Sequence, residues 1–432
     1  MFEEQSVFLY DLTVCLASAM DLISRKLANH HKQVAYLACS IGAETGMPVG
    51  ECGELALAGM LHDIGALSLK ERLEVLQFDQ IKPQRHAELS YLILREFKPF
   101  AQVAEMVRFH HRPWVGGRTE EGAQENVPPG SHVLHLADRI AVSVDGGVEI
   151  LGQVEGIVRL IKDRSGSVFR PDFVEAFLRL AEREYFWLDL VSPDVSDILA
   201  GWTRTATTPV DLRNLLELGH LFAHVIDFRS PFTAKHSSGV ATVAETLARM
   251  SGFSERECIL MRLAGYLHDL GKLAVPVEIL DKPGRLTDAE FRIVRRHTYH
   301  TYRILDHVAP FELVKVWGAL HHERMDGSGY PFHVRGEDLP LGSRIMAVAD
   351  VFTGITEDRP YRAGMSNGEA IGVLRAMAGN SALDGGIVAL LQSRFDEINS
   401  LRATVQDKAA AEYAAFWRQN ELGEQEETED VR

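Results

Sequence analysis

Two stretches of the chain carry the same order of apolar and polar positions. "HHKQVAYLACSIGAETGMPVGECGELALAGMLHD" (residues 30–63) and "HSSGVATVAETLARMSGFSERECILMRLAGYLHD" (residues 236–269) place apolar residues at three- and four-residue steps, the period of a helix with one buried face. In each, a Gly-containing turn breaks the period and a second stretch resumes it. The pattern predicts helix, turn, helix, ending at a His-Asp pair. Strand-type alternation is sparse along the whole chain, so an all-α fold is expected.

The two His-Asp pairs are 206 residues apart (268 minus 62), and the same offset relates His30 to His236. His86 pairs with His297, and the doublet His110-His111 with His321-His322, at 211; Asp138 in "HLADRI" pairs with Asp350 in "MAVADV" at 212. A drift this small is what loop insertions produce. The chain therefore reads as two tandem copies of one helical unit, at residues 1–150 and 206–400. Residues 151–205, with text such as "DFVEAFLRLAERE", read as a helical link, and 401–432, ending "NELGEQEETEDVR", as an acidic tail in solvent.

A chain of 432 residues, 46% hydrophobic and 25% charged, has the make-up of an ordinary multidomain globular protein. It lacks the run of about 18 apolar residues that a membrane helix needs. Glu3, Glu4 and Asp11 break up any secretory signal, so a cytoplasmic location is expected. Cys15, Cys39, Cys52 and Cys258 form no CxxC pair and read as buried reduced thiols. A formal charge of -16 excludes a long DNA or RNA groove, which relies on many cations against phosphates. A small phosphorylated ligand needs only local cations, part of which metal ions supply.

His236, His268, Asp269, His297, His321, His322 and Asp350 lie on separate helical segments. Any one of these histidines alone reads as a hydrogen-bonded core or surface residue. The ordered set, recurring twice, does not, because packing asks for apolar volume rather than for donor chemistry. Imidazole with carboxylate suits Mn, Fe, Ni or Zn, and seven groups exceed the three or four protein ligands of a one-metal site. Two divalent transition metals are the natural count, with Asp269 able to bridge through its two oxygens.

The text from "KHSSGVA" through "LHDLGKLAVPVEILDKPGRLTDAEF", "RRHTYHTYRIL" and "HHERMDGSGYP" to "RIMAVADVFTGITEDRPYR" resembles the HD-GYP domain of the HD phosphohydrolase superfamily. The resemblance implies an all-helical domain that hydrolyses cyclic di-GMP to pGpG, or on to GMP, with the hybrid cyclic GMP-AMP as the alternative substrate. A cyclic di-GMP receptor with little turnover is a further alternative. The resemblance assigns His236, His268, Asp269 and Asp350 to one metal, with Asp269 bridging to a second that His297, His321 and His322 complete. It gives Lys272, in "HDLGK", the role of stabilising charge at the scissile phosphate or protonating the leaving oxygen. Gly271 before it is expected to cap the preceding helix and turn the chain.

Gly327, Gly329 and Pro331 are expected to fix Tyr330 on a turn, the glycines through positive φ, and the resemblance implies that Gly329 and Tyr330 lie against the ligand. Arg359 and Arg362 match positions that contact ligand phosphate or guanine. Members with three metals carry a Glu at the position of Phe232, so two metals are expected. Thr353 stands where an Asp is usual, which removes a carboxylate behind the ligands. His220 and His224 share the i,i+4 spacing of a zinc pair but, with no third partner evident, read as helix-interface residues.

His30, His62, Asp63, His86, His110, His111 and Asp138 repeat the ligand set in the first copy and form a candidate second metal site. Ala66 replaces the lysine and "HHRPWVGGRTEEG" replaces "HHERMDGSGYP", so this copy reads as a degenerate HD domain with a regulatory or structural role. Contact between the two HD domains is expected, and a homodimer is left open.

Overall fold

The computed structural model describes residues 7–22, 28–67, 71, 73, 84–114, 116, 127–203, 209–229, 234–358 and 363–430, with side chains as far as 419. The fold divides between Val210 and Asp211 into two compact units. Both are helical. The departures among the described residues are a two-residue antiparallel pairing of Val7–Phe8 with Pro209–Val210, which ties the ends of the first unit together, and an isolated bridge between Ser165 and Phe169.

In the first unit His30–Glu44 packs against Val49–Leu61, with Gln84–Leu94, Ala101–Arg108 and Pro129–Val142 around them. In the second, His236–Met250 packs against Glu255–Leu267, joined by Asp288–Leu305, Glu312–Ala319 and Leu341–Thr356. The central crossing uses the same device twice. A Cβ added at Gly59 would lie 2.5 Å from Ala35 Cα, and one at Gly265 would lie 2.4 Å from Ala241 Cα. Only glycine permits that approach, and it brings the His-Asp turn at the helix end up to the histidine that starts the neighbouring helix.

The second unit is the better capped. Ser254 with Glu257, and Thr287 with Glu290, form reciprocal capping boxes at the starts of Glu255–Leu267 and Asp288–Leu305. At the position matching Ser254, the first unit has Pro48, which offers no side-chain cap.

Two sequence readings change. Residues 151–203, read as a helical link, are helical but belong to the first unit: Pro171–Ala181 packs on His30–Glu44, and Phe177, Phe186 and Trp187 are buried in the first unit's core. Their apolar stripe is wide enough to need a partner face, and the first copy supplies it. Residues 401–419 are not a free tail either. One helix spans Phe395–Asp430, and Ile398, Arg402, Gln406, Ala409 and Phe416 are buried. These positions are three, four or seven residues apart and so share a stripe; the acidic run that dominates the text begins only beyond it. All four cysteines are buried, and none forms a disulfide.

Candidate active site

Each ligand-type side chain of the second unit sits at a helix end or within a helix that points it inward. His236 opens His236–Met250, His268 and Asp269 follow Glu255–Leu267, His297 lies within Asp288–Leu305, His321 and His322 follow Glu312–Ala319, and Asp350 lies within Leu341–Thr356. His236 Nε2 is 3.1 Å from Asp350 Oδ1. The two oxygens of Asp269 face different partners: Oδ2 lies 3.1 Å from His268 Nε2 and 2.5 Å from Lys272 Nζ, and Oδ1 lies 3.3 Å from His297 Nε2 and 3.9 Å from His321 Nε2. His322 Nδ1 is 3.9 Å from Asp350 Oδ2. The structure thus brings all seven groups together.

The imidazoles are fixed by their backbone. His268 Nδ1 donates to Gly265 O (2.8 Å), His297 Nδ1 to Val294 O (2.6 Å) and His321 Nδ1 to Gly318 O (2.6 Å), each three residues back. A carbonyl can only accept, so Nδ1 carries the proton and Nε2 presents its lone pair to the centre. His268 Nε2 and Asp269 Oδ1 are buried with no hydrogen-bond partner among the described residues. Buried donor and acceptor atoms left unmatched are costly. Imidazole lone pairs aimed at shared carboxylates are the donor set a divalent transition metal takes up, so these residues fit metal ions.

Electrostatics point the same way. Burial works to raise the Asp269 carboxyl, but His268, Lys272 and His297 outweigh it and hold the group well below the usual range. For Lys272, burial works against the charge and Asp269 overcomes it, so the amine stays protonated. Burial pushes His297 down to about 3, leaving it neutral and able to ligate.

Lys272 does not follow a left-handed helix cap. Gly271 lies inside a 3-10 turn, Leu270–Ala274, with no positive φ, and glycine is required because an added Cβ would sit 2.0 Å from His297 O. Thr301 locks the turn: its Oγ1 accepts from Gly271 N (2.9 Å) and donates to His268 O (3.1 Å). In "DGSGYP" only Gly327 has positive φ (78°); Gly329 is needed for close approach, 2.4 Å from Arg324 N to an added Cβ. Tyr330 lies against His322 (ring centroids 5.0 Å, 41°), with the Arg295 guanidinium 4.5 Å from its own ring centroid. Arg359, Arg362 and Phe232 lie outside the described residues.

Several residues of the site escaped the sequence reading. Glu357 is buried and its Oε2 lies 3.3 Å from His236 Nδ1. It supplies a carboxylate behind His236 from one helical turn beyond Thr353, on the same segment. Gln406, from the C-terminal helix, donates to that same Oε2 at 3.1 Å. Glu323 Oε1 accepts from Phe332 N (2.6 Å) and His333 N (3.1 Å), holding the loop after Tyr330. The i,i+4 step from Thr353 to Glu357 was the available signal for the first of these.

The first unit reproduces the cluster. His62 Nε2 lies 3.2 Å from Asp63 Oδ2, His86 Nε2 3.2 Å from Asp63 Oδ1 and 2.9 Å from His111 Nε2, and His30 Nε2 3.5 Å from Asp138 Oδ1. His62 Nδ1 donates to Gly59 O (2.8 Å) and His110 Nδ1 to Val107 O (2.6 Å). Ser90 repeats the Thr301 lock, accepting from Gly65 N (2.9 Å) and donating to His62 O (2.8 Å). Here a new cation intrudes: Arg139 Nε and Nη2 both reach Asp138 Oδ2, at 3.2 and 2.5 Å.

Residues 27–143 and 220–387 each match the HD-domain family. The chain is 30% identical over 393 residues to the 3'3'-cGAMP-specific phosphodiesterase 1 of Vibrio cholerae, covering 88% of this chain and 90% of that one. It is 45% identical over 141 residues to a cyclic di-GMP phosphodiesterase of Pseudomonas aeruginosa, covering 32% of this chain and 34% of that one. The crystal structure of a cyclic GMP-AMP specific phosphodiesterase of V. cholerae superposes with a TM-score of 0.64 at 26% identity, covering 91% of this chain and 98% of that one. No helix among the described residues is long and apolar enough to cross a membrane. With its two HD domains in tandem and its metal-ligand chemistry in place, the chain belongs to the HD-GYP family of HD-domain phosphodiesterases.

Proposed function

We propose that the second unit hydrolyses a cyclic dinucleotide, 3'3'-cyclic GMP-AMP in the first instance, and that the first unit is regulatory or structural. The observation that carries the assignment to one unit is the Lys272–Asp269 pair, 2.5 Å apart at the mouth of the cluster, where the first unit has Ala66. The preference for the hybrid dinucleotide is supported by coverage: the relative named for it spans both HD domains. Cyclic di-GMP, cut to pGpG or further to GMP, is the second reading, favoured by the higher identity to a cyclic di-GMP enzyme over a shorter stretch.

His236, His268, Asp269 and Asp350 would hold one divalent ion and His297, His321 and His322 a second, with Asp269 shared. The same seven positions of the first unit would hold metal as well. Ions bound there supply Lewis acidity at the phosphodiester. Lys272, one-fifth exposed and anchored by Asp269, stands ready to give its proton to the 3' oxygen as the P–O bond breaks and a water oxygen joins phosphorus, the proton that the water gives up then restoring the amine. Tyr330 offers a ring face for a base, and Arg359 and Arg362 are assigned to ligand phosphate or guanine.

Chromatographic product analysis with both dinucleotides on metal-reconstituted protein tests the reading. Lys272→Ala is expected to keep its metal and lose about 10²-fold or more in rate, and Asp269→Ala to lose metal and activity together. Wild-type turnover by both variants would place the chemistry elsewhere.

A further inference from the structure

His220 and His224, which the sequence leaves without a third partner, meet one across the fold. They lie one turn apart on Leu212–Asp227, with ring centroids 4.2 Å apart. Both face Glu412 of the C-terminal helix: Glu412 Oε2 is 3.8 Å from His220 Nε2 and 3.5 Å from His224 Nε2. One ligand atom from each of the three lies within 4.8 Å of the others. This cluster is separate from both HD pockets and shares no residue with them.

The spacing is informative. A charge-assisted hydrogen bond between imidazole and carboxylate closes to about 2.7–2.9 Å, and both separations are longer. Two ligand atoms bound at about 2.0–2.1 Å in a tetrahedron lie about 3.3–3.4 Å apart, near the distances found here. Burial lowers His220 to about 4, leaving its lone pair available at neutral pH. Phe228 stacks on His224 (4.5 Å, 15°) and fixes its ring, and Tyr266 lies edge-on to His220 (5.4 Å). The neighbouring cations are accounted for: Lys408 Nζ reaches the other oxygen, Glu412 Oε1, at 3.5 Å, and Arg262 Nη1 lies 3.5 Å from Glu245. His220 and Glu412 each keep 30% of their side chains exposed, which leaves an entry path and room for a water as fourth ligand.

We propose that His220, His224 and Glu412 form a further divalent-cation site, zinc-like in its two imidazoles and one carboxylate, that pins the C-terminal helix to the helix opening the second unit. The pinned helix is the one whose Gln406, less than two turns before Glu412, donates to Glu357 behind His236. The site thereby holds a support of the catalytic cluster in place without touching substrate.

Zinc content is measured on the full chain in a background carrying Asp63→Ala and Asp269→Ala, which disables both HD pockets. One zinc per chain is expected, lost on adding Glu412→Gln or His220→Asn. Hydrogen exchange on the otherwise wild-type chain supplies an independent reading: zinc is expected to slow exchange across residues 406–419, and Glu412→Gln, with its HD pockets intact, to abolish that protection. Unchanged zinc content after both substitutions overturns the proposal, as does a helical background that binds no zinc, or equal protection of wild type and Glu412→Gln.

Discussion

Thr301→Val is the sharpest test of how the fold holds the lysine-bearing turn. Thr301 is fully buried, and its hydroxyl makes the two hydrogen bonds that tie Gly271 N and His268 O together. Valine keeps the volume and removes both. A buried amide and a buried carbonyl then stand unsatisfied, each costing about 1–3 kcal/mol, so the second unit loses about 2–6 kcal/mol. Because the released turn carries Lys272 and follows His268, turnover should fall by at least about tenfold; a misplacement of about 1 Å can cost 10² in rate. Ser90→Ala is the matched control, since Ser90 makes the same two bonds in the first unit. It should destabilise that unit comparably and leave turnover by the second within about twofold. The assay is urea unfolding followed by hydrogen exchange unit by unit, with steady-state kinetics alongside. A loss under about 0.5 kcal/mol for Thr301→Val, or equal loss of rate in both variants, refutes the reasoning.

Glu357→Gln keeps the shape behind His236 and removes the charge; metal affinity measured by competition with a chelator should weaken by about 10–100-fold, and an unchanged affinity would assign His236 its orientation from elsewhere. Gly265→Ala should cost about 3 kcal/mol or prevent folding, since the new methyl meets the backbone of Ala241 at 2.4 Å; thermal unfolding at the wild-type midpoint would contradict the helix crossing. Glu290, bonded to Lys282 and to Thr287, has its pKa depressed from 4.5 to about 2. A carboxyl lowered in the folded state contributes fully above its unfolded value and loses that contribution as pH falls toward 2. Protection at the start of Asp288–Leu305, taken relative to the intrinsic exchange rate at each pH, should therefore fall between about pH 4.5 and 2 in wild type, and Glu290→Gln should flatten the change.

The helical fold and its internal repeat were legible because apolar periodicity and the placement of His and Asp recur at nearly fixed offsets. The seven histidines and aspartates of each cluster could be named for the same reason. What the text could not show depends on three-dimensional proximity between segments far apart in the chain. Glu357 and Gln406 are 49 residues apart, and Glu412 lies 188 residues beyond His224 (412 minus 224). The acidic composition of the last residues masked the apolar stripe of Ile398, Ala409 and Phe416 that docks the helix. Gly271 was read as a conformational device when it is a steric one: its neighbour, the His297 carbonyl, belongs to another helix.

The two units differ less in their ligands than in where each puts a positive charge. In the second, Lys272 pairs with Asp269, the carboxylate that faces both halves of the cluster, and a fifth of its side chain remains open to solvent. In the first, that position is Ala66, fully buried, and the cation is Arg139, itself buried and directed at Asp138. A guanidinium does not give up its proton near neutral pH, so Arg139 can neutralise a carboxylate but cannot serve as an acid. It also engages one Asp138 oxygen, which a metal in that pocket would have to share. Moving the cation from the shared aspartate to the peripheral one turns a group able to deliver a proton into one that stabilises charge only. On the proposed reading, that displacement would separate a unit equipped for turnover from one equipped at most to bind.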